Sequence, residues 1–229
     1  MITILSLIQI LLFFLSIIVP SAAVLIRLFI TFTFVFFVLF RFFCQKQTSC
    51  YKYLVLGVLA CFTGDLIFGN IISISASFLG GIAAFGIAQI FFVCLFIKIL
   101  KANKIKVLNK RLFISMSVLY LICFLLCFIF VKYSNPSTVI TFGILAYSLL
   151  LCTMASFAIS LTSINVRCWV IAAGAILFVV SDTIIGLTGF GILHISNREI
   201  FIWSTYIPAL MGIVYGVSSN LVLPTGKHA

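Results

Sequence analysis

Gly57-Val-Leu-Ala-Cys-Phe-Thr-Gly-Asp65-Leu-Ile-Phe-Gly69 is an apolar run with one carboxylate inside it. The chain repeats the arrangement at Gly174-Ala-Ile-Leu-Phe-Val-Val-Ser-Asp182-Thr-Ile-Ile-Gly186. In each stretch a Gly precedes the Asp by eight residues and another Gly follows it by four. The third acid of the chain, Glu199, falls in a loop between apolar runs. A carboxylate at bilayer depth costs about 2.5–3.5 kcal/mol on insertion scales, so an acid kept there is a functional candidate by default.

The surroundings make bilayer depth the right frame. Of 229 residues, 65% are hydrophobic and 7% charged, with a mean hydropathy of +1.41. A soluble domain carries about 25% charged residues, and no polar stretch here is long enough to build a soluble core. The expected class is therefore an all-α integral membrane protein forming one polytopic transmembrane domain over residues 1–229.

A spanning helix needs about 20 apolar residues. Eight such runs can be marked, at 2–19, 24–43, 52–70, 76–99, 112–132, 138–161, 168–188 and 200–222. Backbone polar groups cannot stay unpaired in lipid, so the runs must be helices. Breaks fall at Pro20-Ser21, Gln45-Lys46-Gln47, Asn70, Lys101 to Arg111, Ser134-Asn135-Pro136, Ser163 to Arg167 and Asn197-Arg198-Glu199. Pro20-Ser-Ala-Ala23 has the look of a signal-peptidase site. No basic region precedes it and another apolar run follows at once, so residues 2–19 read as an uncleaved first helix.

The net charge of +11 does not point to nucleic acid, because the basic residues cluster in alternate loops. Arg41, Lys46, Lys52, Lys98, Lys101, Lys104, Lys106, Lys110, Arg111, Arg167 and Lys227 fall on one side, and Arg27, Lys132 and Arg198 on the other. Eleven against three predicts both termini in the cytoplasm. The eight cysteines show no C-x-x-C and no Cys/His cluster, and His194 and His228 lie outside the helices, so no metal site and no cofactor are expected.

The two Asp are 117 residues apart, as are the third and seventh helices. An even offset of four helices predicts parallel repeats, 1–111 and 112–229. Both Asp then reach the same depth on helices running in the same direction. Gly57, Cys61, Asp65 and Gly69 share one face, as do Gly174, Asp182 and Gly186, and small faces let helix backbones approach closely. The acids are thus expected to face the protein interior. No Lys or Arg lies within a helical turn of either Asp in its own helix, so desolvation favours the neutral form of at least one. Two converging carboxyls sharing a proton separate an acid from a base. That suits hydrolysis through an oxocarbenium-like state and equally suits proton-coupled transport. Gln89, Tyr147, Ser181, Tyr206 and the loop residue Asn70 are the polar groups placed to complete a substrate-binding site. An intramembrane aspartyl protease is disfavoured, since those need G-x-G-D and Phe62 stands three before Asp65.

Gly174-Ala-Ile-Leu-Phe-Val-Val-Ser-Asp182 resembles the G-A-x-L-F-x-x-S-D signature of the YhhN-like membrane family, the lysoplasmalogenases. Thr63-Gly-Asp-Leu66 is similar to its G-D segment, Ala84-Phe85 to its fourth helix, Tyr147 with Met154 to its sixth, and Tyr206 to the start of its last. Gln89 and Phe92 stand where the family usually has H-x-x-Y, which removes a possible proton carrier. Ala209-Leu210 stand where A-Q or G-H is usual. The resemblance implies hydrolysis of the vinyl-ether bond of lysoplasmalogens, with a lysophospholipid substrate, membrane lipid as surroundings, no nucleic-acid partner and no metal. Asp65 and Asp182 are then the catalytic pair. The expected location is a bacterial cytoplasmic (inner) membrane, and the oligomeric state is left open. A proton-coupled transporter and a catalytically inactive homologue remain alternatives.

Overall fold

The computed structural model describes residues 1–44, 50–73, 77–134 and 138–219. Gln45, Lys46, Gln47, Asn135, Pro136, Lys227 and His228, which enter the sequence reading, lie outside the described residues. Among the described residues the chain forms eight α-helices: α1 (Ile2–Ile18), α2 (Ala23–Cys44), α3 (Tyr51–Phe68), α4 (Ser77–Ala102), α5 (Lys110–Ser134), α6 (Thr138–Ser160), α7 (Trp169–Gly189) and α8 (Arg198–Ser218). Each lies within a few residues of an expected span. Glu199, expected in a loop, sits instead in the first turn of α8, where an acid complements the helix dipole.

Seven of the eight are long and apolar enough to cross a membrane; α1, with 17 residues, is shorter. It stops because Val19 precedes Pro20. The proline ring disfavours the helical region for the residue before it, and Val19 sits at φ −116°, ψ 78°. The chain makes one 3₁₀ turn, Pro20–Ala22, and enters α2.

The polarity of these helices is inside out relative to a soluble protein. On α1 the buried residues are Gln9 and Ser16, while Leu11 is 67% exposed. Gln9 donates from its side chain to Thr33 Oγ1 at 2.7 Å, tying α1 to α2. On α5, Phe113, Leu121 and Phe128 are each more than half exposed. Such surfaces are stable only against lipid.

The chain divides into two compact units, one built on Met1–Leu95 and one on Phe96–Thr225. In the first, α3 and α4 run antiparallel, with phenylalanines seated in glycine notches. A Cβ on Gly57 would lie 2.6 Å from the Phe92 ring, one on Gly64 2.8 Å from Phe85, and one on Gly81 2.7 Å from Phe68. The notches on α3 and the rings on α4 both recur every seven residues, which keeps knob and hole on one seam. Gly69 packs against Val24 and Leu28, and the rings of Phe32 and Phe62 lie 6.0 Å apart, so α2 is antiparallel to α3. Ile30, Phe34, Val38, Tyr51, Leu54 and Phe92 fill this core.

In the second unit α7 and α8 meet backbone to backbone. A Cβ on Gly174 would lie 2.8 Å from the Ala209 carbonyl oxygen and 3.0 Å from Gly212 Cα. At α5, Asn109 caps the helix by accepting from the Leu112 N–H at 3.0 Å, a group the helix itself leaves unpaired. Asn109 also donates to Ser160 Oγ at 2.6 Å, and Arg111 to Thr162 Oγ1 at 2.6 Å, fastening the start of α5 to the end of α6.

The two glycine-flanked repeats end differently. Gly69 is the C-cap of α3, and Asn70, exposed and in the left-handed region at φ 56°, follows it. The Ile71 N–H returns to the Leu66 carbonyl, which closes the helix in a Schellman turn. Gly186, the counterpart of Gly69, is interior to α7. That helix runs on to Gly189 and closes its own Schellman turn at Gly191, φ 71°. A Cβ on Gly186 would meet nothing within 4 Å. The close approach expected of every glycine in the pattern therefore holds at Gly174 between backbones, at Gly57 against a side chain, and not at Gly186.

Candidate active site

Asp65 is the fifteenth residue of α3 and Asp182 the fourteenth of α7, so each acid stands a similar distance from its own helix start. Asp65 belongs to the first unit and is 5% exposed. It follows Gly64, whose notch is closed by Phe85, and its backbone carbonyl accepts from the Gly69 N–H at 2.8 Å. Asp182 belongs to the second unit and is half-buried.

Asp182 has a defined side-chain partner. The Tyr147 hydroxyl, on α6, donates to its Oδ2. A phenol on one carboxyl oxygen sets the orientation of the group.

The remaining expected site residues take separate places. Ser181 is fully buried and faces α8, donating to the Ile202 carbonyl at 3.4 Å. Tyr206, 3% exposed, packs edge-on against Phe178 and Trp203, with ring centroids 5.5 and 5.4 Å apart. Ser181 and Tyr206 thus sit at the α7–α8 seam, whereas Asp182, one residue on, is turned towards α6. Consecutive helical residues are rotated by about 100°. Gln89, in the first unit, is fully buried, and both its amide atoms lack a hydrogen-bond partner among the described residues. A buried carboxamide left so is costly. It lies on α4 between Phe85 and Phe92, the two rings that face α3. Asn70 is an exposed capping residue at the end of α3.

By sequence Arg27 is one of three basic residues on the minority side, yet it is 6% exposed, inside α2. The available signal was its position, five residues into an apolar helix.

A model of the YhhN family matches residues 22–217. The chain belongs to the YhhN family. The match runs from the start of α2 almost to the end of α8 and takes in both acids, Tyr147, Gln89 and Arg27. The YhhN family is associated with lysoplasmalogenase and suggests a hydrolase. No curated protein and no solved structure matches this YhhN chain.

Proposed function

We propose that this membrane protein hydrolyses the vinyl-ether bond of lysoplasmalogens, with Asp65 and Asp182 as paired acid and base. What carries the reading is that the only two acids within the interior of apolar helices occur in a chain of the YhhN family, one of them held by a tyrosine hydroxyl. The protonated carboxyl adds its proton to the β-carbon of the vinyl ether, and the double-bond electrons form that C–H bond. The oxocarbenium ion left behind is stabilised by the second carboxylate, which takes a proton from water as the water adds to the cation. The hemiacetal then collapses to a fatty aldehyde and a glycerophospho-ethanolamine or -choline. Water is the only co-reactant, and the proton first spent is recovered. Tyr147 orients Asp182. Gln89 offers both a donor and an acceptor for water or the glycerol hydroxyl. Ser181, Tyr206 and Asn70 complete the substrate-binding set.

Purified protein in detergent should release aldehyde from an alkenyl lysolipid, release none from the ester analogue, and keep its rate in chelator. A transporter has no reaction to perform without a gradient. Failure to release aldehyde would therefore remove the hydrolase reading and leave the carrier.

For orientation, the excess of basic residues in alternate loops supports cytoplasmic termini, in a bacterial inner membrane. Single cysteines at positions 70 and 194, placed in the cysteine-free variant, should react with an impermeant reagent from outside intact cells, and one at position 104 should not. Asn70 and Lys104 are both turn residues at helix ends, and His194 lies against an open groove with Ser196 and Arg198, so the contrast reads sidedness. The opposite labelling pattern would invert the topology.

A further inference from the structure

Arg27 is a permanent cation, the fifth residue of α2, and 6% exposed. Burying such a charge is expensive unless anionic groups meet it. Within residues 1–95 the sequence holds one acid, Asp65, and the other basic residues described there, Arg41 and Lys52, belong to the opposite end of α2 and α3. The packing of Gly69 on Val24 and Leu28, together with the Phe32–Phe62 ring contact, fixes the α2–α3 register. Asp65 is level with residues 29–30. Arg27 lies two or three residues nearer the Ala23 end, an axial offset of about 4 Å at 1.5 Å per residue.

That order matches the order of groups along a lysophospholipid. Its phosphate rests at the membrane surface, the glycerol follows, and the ether oxygen and alkenyl chain reach inward. A guanidinium presents five N–H donors in a planar fork, more than one carboxylate can take, so it can serve a phosphate beside Asp65. We infer that Arg27 is the phosphate anchor of the substrate, setting the head group one step outward of Asp65 so that the ether bond falls at the carboxyl. The inference rests on the hydrolase reading for its substrate, but its test needs no turnover.

The probes are a 1-O-alkyl lysophospholipid, whose saturated ether is not cleaved by this chemistry, the 1-O-alkylglycerol of the same chain length, and glycerophosphoethanolamine. Binding to the purified protein is followed by calorimetry in detergent. The unaltered protein should bind the alkyl lysophospholipid at least about tenfold more tightly than the alkylglycerol, the discrimination expected from charge-assisted hydrogen bonds. Glycerophosphoethanolamine should bind much more weakly than the lysolipid. Arg27→Gln should erase the preference while leaving alkylglycerol affinity in place. Arg27→Lys, which keeps the charge should the Gln variant not fold, should lose affinity for the phosphorylated ligand alone. No preference in the unaltered protein, a preference that survives Arg27→Gln, or equal loss on both chain-bearing ligands in either variant would overturn the anchor and leave Arg27 a structural counter-ion. Chain-free glycerophosphoethanolamine binding as tightly as the lysolipid would also overturn it, assigning the site to soluble phosphate. Absence of aldehyde release with the phosphate preference intact would overturn the hydrolase reading instead.

Discussion

Asp182→Asn is expected to lower the rate of aldehyde release by at least about a hundredfold, and Asp65→Asn by a similar factor. Positioned proton transfer contributes roughly 10²–10⁴ to rate, and a hundredfold loss corresponds to about 2.7 kcal/mol of barrier. An amide can neither give the proton that opens the vinyl ether nor take one from water. The fold should survive Asp182→Asn, whereas Asp65→Asn takes away the one acid of residues 1–95 that can meet the buried Arg27 and should also lower stability. Asn keeps the shape of the side chain, removes a carboxylate from a membrane helix, and at position 182 still offers an oxygen to the Tyr147 hydroxyl. Tyr147→Phe should cost less, about tenfold, because it loosens the carboxyl without removing it. Steady-state rates on an alkenyl lysolipid, with thermal stability of each variant in detergent as the control, decide the matter. Undiminished activity in both Asn variants would sink the two-carboxylate mechanism.

Gly174→Leu should be strongly damaging to stability. A Cβ there lies 2.8 Å from the Ala209 carbonyl oxygen and 3.0 Å from Gly212 Cα, so the new atoms meet backbone, which has no rotamer to change. Overpacking of a core by added methylenes costs about 1–3 kcal/mol and occasionally more. With a backbone on the other side, α7 and α8 must separate along their length. Even Gly174→Ala should lower the melting temperature. Gly57→Ala presses on the Phe92 ring, a side chain rather than a backbone, and should cost less. Gly186→Ala has open space and should be neutral or gain up to about 1 kcal/mol from helix propensity. Melting curves of the four purified variants test the series. Equal stability of the alanine variants at 174 and 186 would show that the α7–α8 approach is looser than described.

How much of this was legible beforehand follows from what kind of physics each feature obeys. Hydropathy is a property of the local chain, because each stretch of about 20 residues partitions into the bilayer on its own account. The all-α membrane class and the eight helices were therefore readable directly, and so were helix ends such as that of α3 before Asn70. The two acids were readable for the same reason: a carboxylate in such a run stands out without any knowledge of neighbours. So was the resemblance to the YhhN family, carried by the Gly174–Asp182 segment.

Partners were not readable, since they depend on which helix lies beside which and on rotation about each axis. Ser181 and Asp182 are adjacent in sequence, yet one bonds α8 and the other α6, because a single helical step turns the side chain by about 100°. Gly174 and Gly186 occupy matching places in a pattern on one helix, yet only the first meets a neighbouring backbone. Arg27 looked like a stray loop charge until the packing of α2 on α3 enclosed it. The sequence by itself determined that two carboxylates enter the membrane and on which helices. The tertiary structure alone decided that Tyr147 holds one of them and that a buried arginine of α2 lies two or three residues from the level of the other, because those relations depend on helix packing and rotation that the chain order leaves open.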